Sequence, residues 1–295
     1  MTAPHHPTPA PAPAAAPGAG SGAGVGVVRR PLTHGALTLP RPNPGAAVRL
    51  FCFHHAGGSH LLYRGWEAHF PADWELCLLD APGRGSLLGE PPLDSGARLV
   101  DFFHTQLTAW TDRPYALFGH SMGALIAYEL TRRLVREGRR PPLWTGLSSC
   151  GAPTPRSPRT PGRHEFTDPQ LRDWLRTLGA TPDEVLDDPW LWQTFAPVFR
   201  SDFALVDTWH TAPETAPLPV ALSAFGGTED TLVPRARLAA WARHTRRLHG
   251  PHMYSGGHFY LRRHHRSLAR RITEAVTAAR PTPAGSTPAD VASPS

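Results

Sequence analysis

Gly119-His120-Ser121-Met122-Gly123 sets a hydroxyl between two glycines in the pattern G-x-S-x-G. The pattern marks a nucleophilic serine only where a strand runs into it and a helix leaves it. Both conditions are met: 115–118 is a short apolar, strand-like run, and 122–137 has helical period. A chain turned that sharply holds Ser121 in a strained backbone conformation, with its hydroxyl at the carboxyl end of a sheet. The new helix aims free N–H groups and its positive end at the same place, which suits a carbonyl oxygen gaining negative charge. The chemistry on offer is attack on an acyl carbonyl.

Such a hydroxyl needs a base, and the base needs an orienting acid. The expected chain order is serine, acid, histidine. Of the 17 histidines, His258 has the best context, in Ser255-Gly256-Gly257-His258-Phe259 just after the last strand-like run. His264 and His265 fall on a charged helix, His5 and His6 in a proline-rich terminus, and His249 and His252 in a strand. For the acid, Phe225-Gly226-Gly227-Thr228-Glu229-Asp230 follows a strand and precedes a helix. Asp230 is the first choice there and Glu229 the alternative. Asp80, in Asp80-Ala81-Pro82-Gly83, reads as a turn residue whose carboxylate bonds backbone N–H groups. The loop His54-His55-Ala56-Gly57-Gly58-Ser59 follows the first strand of the domain. Its Ala56 N–H and the Met122 N–H are the expected oxyanion donors, each worth about 3 kcal/mol. His54 and His55 are not read as a metal pair, because adjacent residues on extended chain point opposite ways; no metal is expected.

Strand-like runs at 48–53, 75–79, 115–118, 143–148, 220–225 and 247–254 alternate with helix-period segments at 93–110, 122–137, 235–244 and 262–279. That alternation predicts an α/β fold with a mostly parallel sheet covered by helices on both faces. Residues 151–216 break it with a proline-rich loop and short helical pieces near 169–178, 182–187 and 190–203, which is the character of a lid. The aromatics Trp190, Trp192, Phe195 and Phe199 in it read as packing residues first and as the wall of a substrate chamber second. Residues 1–45 and 281–295 are rich in Pro, Ala and Gly and are expected to be disordered, leaving a domain over 46–280.

The bulk numbers narrow the classes. Hydrophobic residues at 40% against 18% charged suffice for a packed core. The net charge of +6 comes from arginine alone, since the chain has no lysine. It is spread along the sequence without a nucleic-acid-binding motif, so no nucleic-acid partner is expected. Cys52, Cys77 and Cys150 sit mostly in apolar runs and are odd in number, which suits buried thiols in a reducing compartment. No signal-peptide pattern and no 18-residue apolar run is present, so a cytoplasmic protein off the membrane is expected. The expected oligomeric state is a monomer.

Several blocks together resemble the type II thioesterases of polyketide and nonribosomal peptide assembly lines, which have the α/β-hydrolase fold. They are Phe51–Ser59 with Tyr63-Arg64-Gly65-Trp66, Pro82-Gly83-Arg84-Gly85 with Glu90-Pro91-Pro92, Ala116–Ala124, Arg200-Ser201-Asp202-Phe203, and Gly256–Leu261, in consistent order over 48–262. Departures are His54 where the family usually has proline, Leu79-Asp80-Ala81 before the Pro-Gly-Arg-Gly block, Leu147-Ser148-Ser149-Cys150-Gly151 where a Ser-Gly-Arg stretch is usual, and the long N-terminal stretch. The resemblance implies hydrolysis of acyl thioesters on the phosphopantetheine arm of an acyl or peptidyl carrier protein, in an editing role, with no cofactor. Carrier proteins are typically acidic, so Arg156, Arg159 and Arg163 of the lid are candidates for contact, against the alternative of a solvated charged loop. The rivals are a chain-releasing or cyclising thioesterase, a general serine esterase, and a non-catalytic binder on the same scaffold.

Overall fold

Val48–Phe53 (β3) alternates Leu50 and Cys52 with Phe51 and Phe53, and all six of its residues are buried. A strand apolar on both faces belongs in the middle of a sheet covered on both sides. The computed structural model, which describes residues 30–153, 162–209 and 216–280, puts it there. The other strands are Leu32–His34 (β1), Leu37–Leu39 (β2), Trp74–Leu79 (β4), Tyr115–His120 (β5), Trp144–Ser148 (β6), Ala221–Gly227 (β7) and Leu248–Tyr254 (β8). They form one sheet in the order β1-β2-β4-β3-β5-β6-β7-β8. β4 to β8 and β3 pair in parallel, while β1–β2 and β2–β4 are antiparallel.

The period of two along each strand sorts the core into two layers. Phe51, Phe53, Cys77, Leu79 and Leu117 face Gly96–Thr108 (α1) and Met122–Arg136 (α2) through Leu99, Phe103, Ile126 and Leu130. Leu50, Cys52, Leu76, Leu78 and Phe118 face Leu261–Ala278 (α7) through Leu268, Ile272 and Val276. A third cluster joins α2, β6 and β7 to the short helix Arg235–Ala239 (α6). The helix expected over 235–244 is this α-turn followed by a 3-10 turn at Ala240–Arg243.

The N-terminal boundary needs correction. Residues 32–39, assigned from composition to a disordered tail, form the hairpin β1–β2 on the edge of β4. Ala36, Leu37 and Leu39 are fully or almost fully buried there. Leu37 and Leu39, two apart on β2, with Ala36 in the turn before them, are enough to cover an exposed strand edge, and a composition average over 45 residues hides them.

Among the described residues, the lid segment holds a 3-10 turn at Arg163–Glu165 and the helices Asp168–Leu178 (α3), Asp183–Asp187 (α4) and Pro189–Asp207 (α5). Local signals set their ends. Thr167 and Gln170 make a capping box at the start of α3, Gly179 ends it in a left-handed conformation, and Asp188 accepts the Leu191 N–H at the start of α5. Leu171, Leu175, Leu186, Trp192, Phe199 and Phe203 give the lid a core of its own, against which Ala56 also packs.

Candidate active site

Ser121 stands between β5 and α2 with φ 56° and ψ −115°, a left-handed backbone at a non-glycine residue. Strain of this kind costs about 1–3 kcal/mol and persists only where the surroundings enforce it. Here the Ser121 N–H donates to Ser148 O at 2.8 Å. The flanking glycines are a matter of space: a Cβ on Gly119 would lie 2.0 Å from Gly123 O, and one on Gly123 would lie 2.2 Å from Phe53 O. Neither backbone atom can give way, so the elbow requires glycine at both positions.

His258 lies in the loop between β8 and α7. Its Nε2 is 3.0 Å from Ser121 Oγ, and its Nδ1 is 2.9 Å from Asp230 Oδ2. The three side chains chosen from sequence are thus brought together from the ends of β5, β7 and β8. Asp230 is buried, and its Oδ1 accepts the N–H groups of Leu232 and Val233 at 3.0 and 3.1 Å. Burial pushes this carboxyl up, but the His258 ring and the two N–H donors outweigh it and hold it below the usual carboxylate range. Glu229, the alternative acid, accepts the Gly256 N–H and braces the histidine loop instead. Asp80 is a turn residue as expected: it accepts the His60 and Ser86 N–H groups and also faces the His60 ring at 2.7 Å.

The two expected oxyanion donors are in keeping with that role. Met122 is the first residue of α2, so its N–H has no carbonyl one turn back to meet. Among the described residues, the Ala56 N–H has no acceptor, while its neighbours do: Gly57 N–H meets Asp202 Oδ2 at 2.6 Å and Gly58 N–H meets His55 O at 3.0 Å. Adjacent His54 is buried, with Nδ1 donating to His55 O at 2.7 Å and Nε2 accepting the Ala81 N–H at 3.2 Å. One neutral tautomer satisfies both bonds, and burial, aided by the Arg84 charge, lowers its pKa to about 4.

Sequence reasoning missed several residues that shape this site. Ser149, also at positive φ, donates its Oγ–H to His258 O at 3.0 Å and so holds the histidine loop. His120 is fully buried, its ring centroid 5.3 Å from that of His258 and its Nδ1 2.8 Å from Ser148 Oγ. Burial pushes both His120 and His55 well below the usual histidine range, so the imidazole packed against His258 is uncharged, as is the next one behind it. Arg84 and Asp202 form a buried ion pair, Nη2 to Oδ1 at 2.8 Å. The only sequence signal for that pair was that both lie in blocks carrying the family resemblance.

A cavity of about 670 Å³ opens beside the Ala56 loop, between His55, Gly57 and Trp66 of the core and Val185, Phe195 and Phe199 of the lid. That volume suits a small organic ligand. The lid aromatics divide: Trp192 and Phe199 stack in the lid core, Phe195 and Phe199 reach the cavity, and Trp190 is 70% exposed. Of the arginines expected to meet a partner, Arg156 and Arg159 lie outside the described residues. Arg163 turns inward: its Nε is 2.9 Å and its Nη2 2.5 Å from Asp207 Oδ1, and its guanidinium lies over the Phe203 ring at 5.0 Å. It braces the lid rather than facing outward, because a buried carboxylate and an aromatic face compete with water for it. No helix of the described residues is long and apolar enough to cross a membrane.

Three comparisons agree on the family while differing in detail. The thioesterase domain family model matches residues 48–276. The linear gramicidin dehydrogenase LgrE of Brevibacillus parabrevis is 33% identical over 231 residues, 76% of this chain and 86% of that protein. Thioesterase PikA5 of Streptomyces venezuelae is 32% identical over 244 residues, 82% of this chain and 85% of that protein. The solved type II thioesterase BorB, from the borrelidin biosynthetic cluster, superposes with a TM-score of 0.74 at 32% identity, over 83% of this chain and 100% of that one. The first name is that of a dehydrogenase, but a serine, imidazole and carboxylate in relay is acyl-transfer chemistry, in line with the family model and the other two. From the elbow at Ser121 to the glycine loop at His258, this chain belongs to the thioesterase domain family.

Proposed function

We propose that the protein hydrolyses acyl thioesters carried on the phosphopantetheine arm of acyl or peptidyl carrier proteins, clearing acyl groups from a polyketide or nonribosomal peptide assembly line. The observation that carries this reading is the relay Ser121–His258–Asp230, at 3.0 and 2.9 Å, on a thioesterase-family chain. His258 Nε2 takes the Ser121 proton as Oγ bonds to the thioester carbonyl carbon. The oxyanion is met by the N–H groups of Ala56 and Met122. Collapse breaks the C–S bond, and the thiol leaves with the proton from His258. Water then gives its proton to His258 and attacks the acyl-serine carbonyl; the C–Oγ bond breaks, Ser121 Oγ takes the proton back from His258, and the acid is released. Asp230 holds the ring with Nδ1–H toward itself and stabilises the imidazolium. The cavity between lid and core would receive the acyl-bearing arm, and Arg64 and Arg262 at its border suit an acidic carrier. The free, buried thiols of Cys52, Cys77 and Cys150 favour a reducing, cytoplasmic setting.

The test is incubation with acyl-carrier proteins of graded chain length, followed by intact-mass measurement. The wild-type chain is expected to gain the acyl mass transiently and to release a free acid. Ser121→Ala should gain no mass and lose at least ~10⁴-fold in kcat. A variant that still turns over rules the mechanism out, and a product lighter by one water than the acid shows cyclisation instead of hydrolysis.

A further inference from the structure

Helix α5 of the lid does more than cover the cavity. Asp202, on this helix, is fully buried and 145 residues from Gly57 in sequence, yet its Oδ2 accepts the Gly57 N–H at 2.6 Å. Phe199, three residues earlier and so on the same face of the helix, lies against the α-carbon of Gly57: a Cβ there would be 2.4 Å from its ring. Gly57 has φ 75°, so the loop turns in a conformation that glycine alone adopts without strain. The same helix grips a second loop. Arg84 donates to both oxygens of Asp202 and to Pro82 O at 3.2 Å, and Val198 lies under Gly83.

We infer that Asp202 is a positioning residue that ties the oxyanion loop to the lid. Ala56 and Gly57 are consecutive, so the carboxylate that holds one peptide sets the direction of the free N–H on the one before it. From the other side the same peptides are held by His54, whose ring bonds His55 O and the Ala81 N–H. Arg84, bonded to both of its oxygens, holds the carboxylate in a single orientation, as a bidentate guanidinium does. Lid and oxyanion donor therefore move as one unit. A lid swung away from the core takes Asp202 off Gly57 and releases the Ala56 N–H from its working direction. The chain is then competent for acyl transfer only with α5 seated.

This inference rests on the proposed acyl transfer at Ser121, and the experiment separates the two. Asp202→Ala and Asp202→Asn are made in the full chain and compared for kcat, KM and affinity for an alkyl boronic acid, which adds to the serine as a tetrahedral mimic. Affinity for an unreactive thioether analogue of the substrate supplies the ground-state reference. Losing one oxyanion donor typically lowers kcat ~10²-fold. Asp202→Ala is expected to lose ~30- to 100-fold in kcat and a similar factor in boronate affinity, with KM and thioether affinity within about threefold. Asp202→Asn keeps one oxygen for the Gly57 N–H and should recover at least about tenfold of that loss. A merely structural role would lower boronate and thioether affinity together. An unchanged boronate-to-thioether ratio, or a kcat for Asp202→Ala within about threefold of wild type, overturns the inference. If the alanine variant does not fold, the boronate-to-thioether ratio of Asp202→Asn decides by the same rule. Ser121→Ala is run alongside: if it turns over, the acyl-transfer reading has failed, and if it is dead while the Asp202 variants behave as wild type, only the present inference has.

Discussion

Asp230→Asn tests the relay without emptying space. The two oxygens of Asp230 have different partners: Oδ1 accepts the Leu232 and Val233 N–H groups at 3.0 and 3.1 Å, and Oδ2 faces His258 Nδ1 at 2.9 Å. An asparagine brings one acceptor oxygen and one NH₂. If its oxygen stays on the two backbone donors, its NH₂ faces His258 Nδ1. The ring proton must then sit on Nε2, pointing at Ser121, where no proton can be accepted. If the amide flips, the productive tautomer survives, but the NH₂ confronts two backbone donors. Two buried donors left without an acceptor, at about 1–2 kcal/mol each, put the flipped state about 2–4 kcal/mol higher. At 1.36 kcal/mol per tenfold, the productive fraction is ~10⁻² to 10⁻³. Loss of the anion beside the imidazolium removes about another tenfold, for a total of ~10³ to 10⁴ in kcat. The same change in an unrelated serine protease costs about 10⁴. The assay is thiol release from an acyl thioester, read with a thiol reagent. Background from the protein is low because burial pushes all three of its thiols up, that of Cys150 up to about 12. A kcat within tenfold of wild type, on a variant with an unchanged thermal midpoint, would refute the tautomer argument.

Two further outcomes are expected. His54, His55 and His120 are held neutral by burial, His54 to about 4, so between that pH and about 6.5 the unfolded chain binds protons that the folded chain does not. Stability is therefore complete above pH 6.5 and falls as the pH is lowered, whereas His60, raised by its hydrogen bond to Asp80, works in the opposite sense. The net loss between pH 7 and pH 5.5 is about 3–4 kcal/mol, read as a drop in the urea midpoint, and a flat or rising profile contradicts the neutral-ring account. Arg163→Ala removes the guanidinium from the buried Asp207 carboxylate, leaving it the His164 ring and backbone N–H groups, and should destabilise the chain by about 1–3 kcal/mol while leaving KM for an acyl-carrier within about twofold. A raised KM with unchanged thermal stability would instead mean that Arg163 meets the carrier.

The parts of the site legible in the sequence are those whose chemistry is written into neighbouring residues. Ser121 announces itself through Gly119 and Gly123, because only glycine leaves room for Gly123 O and Phe53 O. His258 follows from its glycine pair, Asp230 from its place between a strand and a helix, and the parallel sheet from apolar runs such as 48–53. The lid helices are legible as short helical pieces near 169–178, 182–187 and 190–203, and the structure shows their ends set by Thr167, Gln170, Gly179 and Asp188, which act within one turn of themselves. Tertiary structure alone decided what depends on partners far along the chain. Asp202 reads as one more acid on a helix until the fold carries it to Gly57 and Arg84, and Arg163 reads as a free charge until Asp207 and Phe203 enclose it. The hairpin at Leu32–Leu39 was invisible because three short apolar side chains carry no periodic signal of their own, and their burial depends on an edge supplied by β4. Backbone geometry and capping act over a few residues and leave a local imprint in sequence, whereas pairing of buried charge and covering of strand edges act through space and leave none.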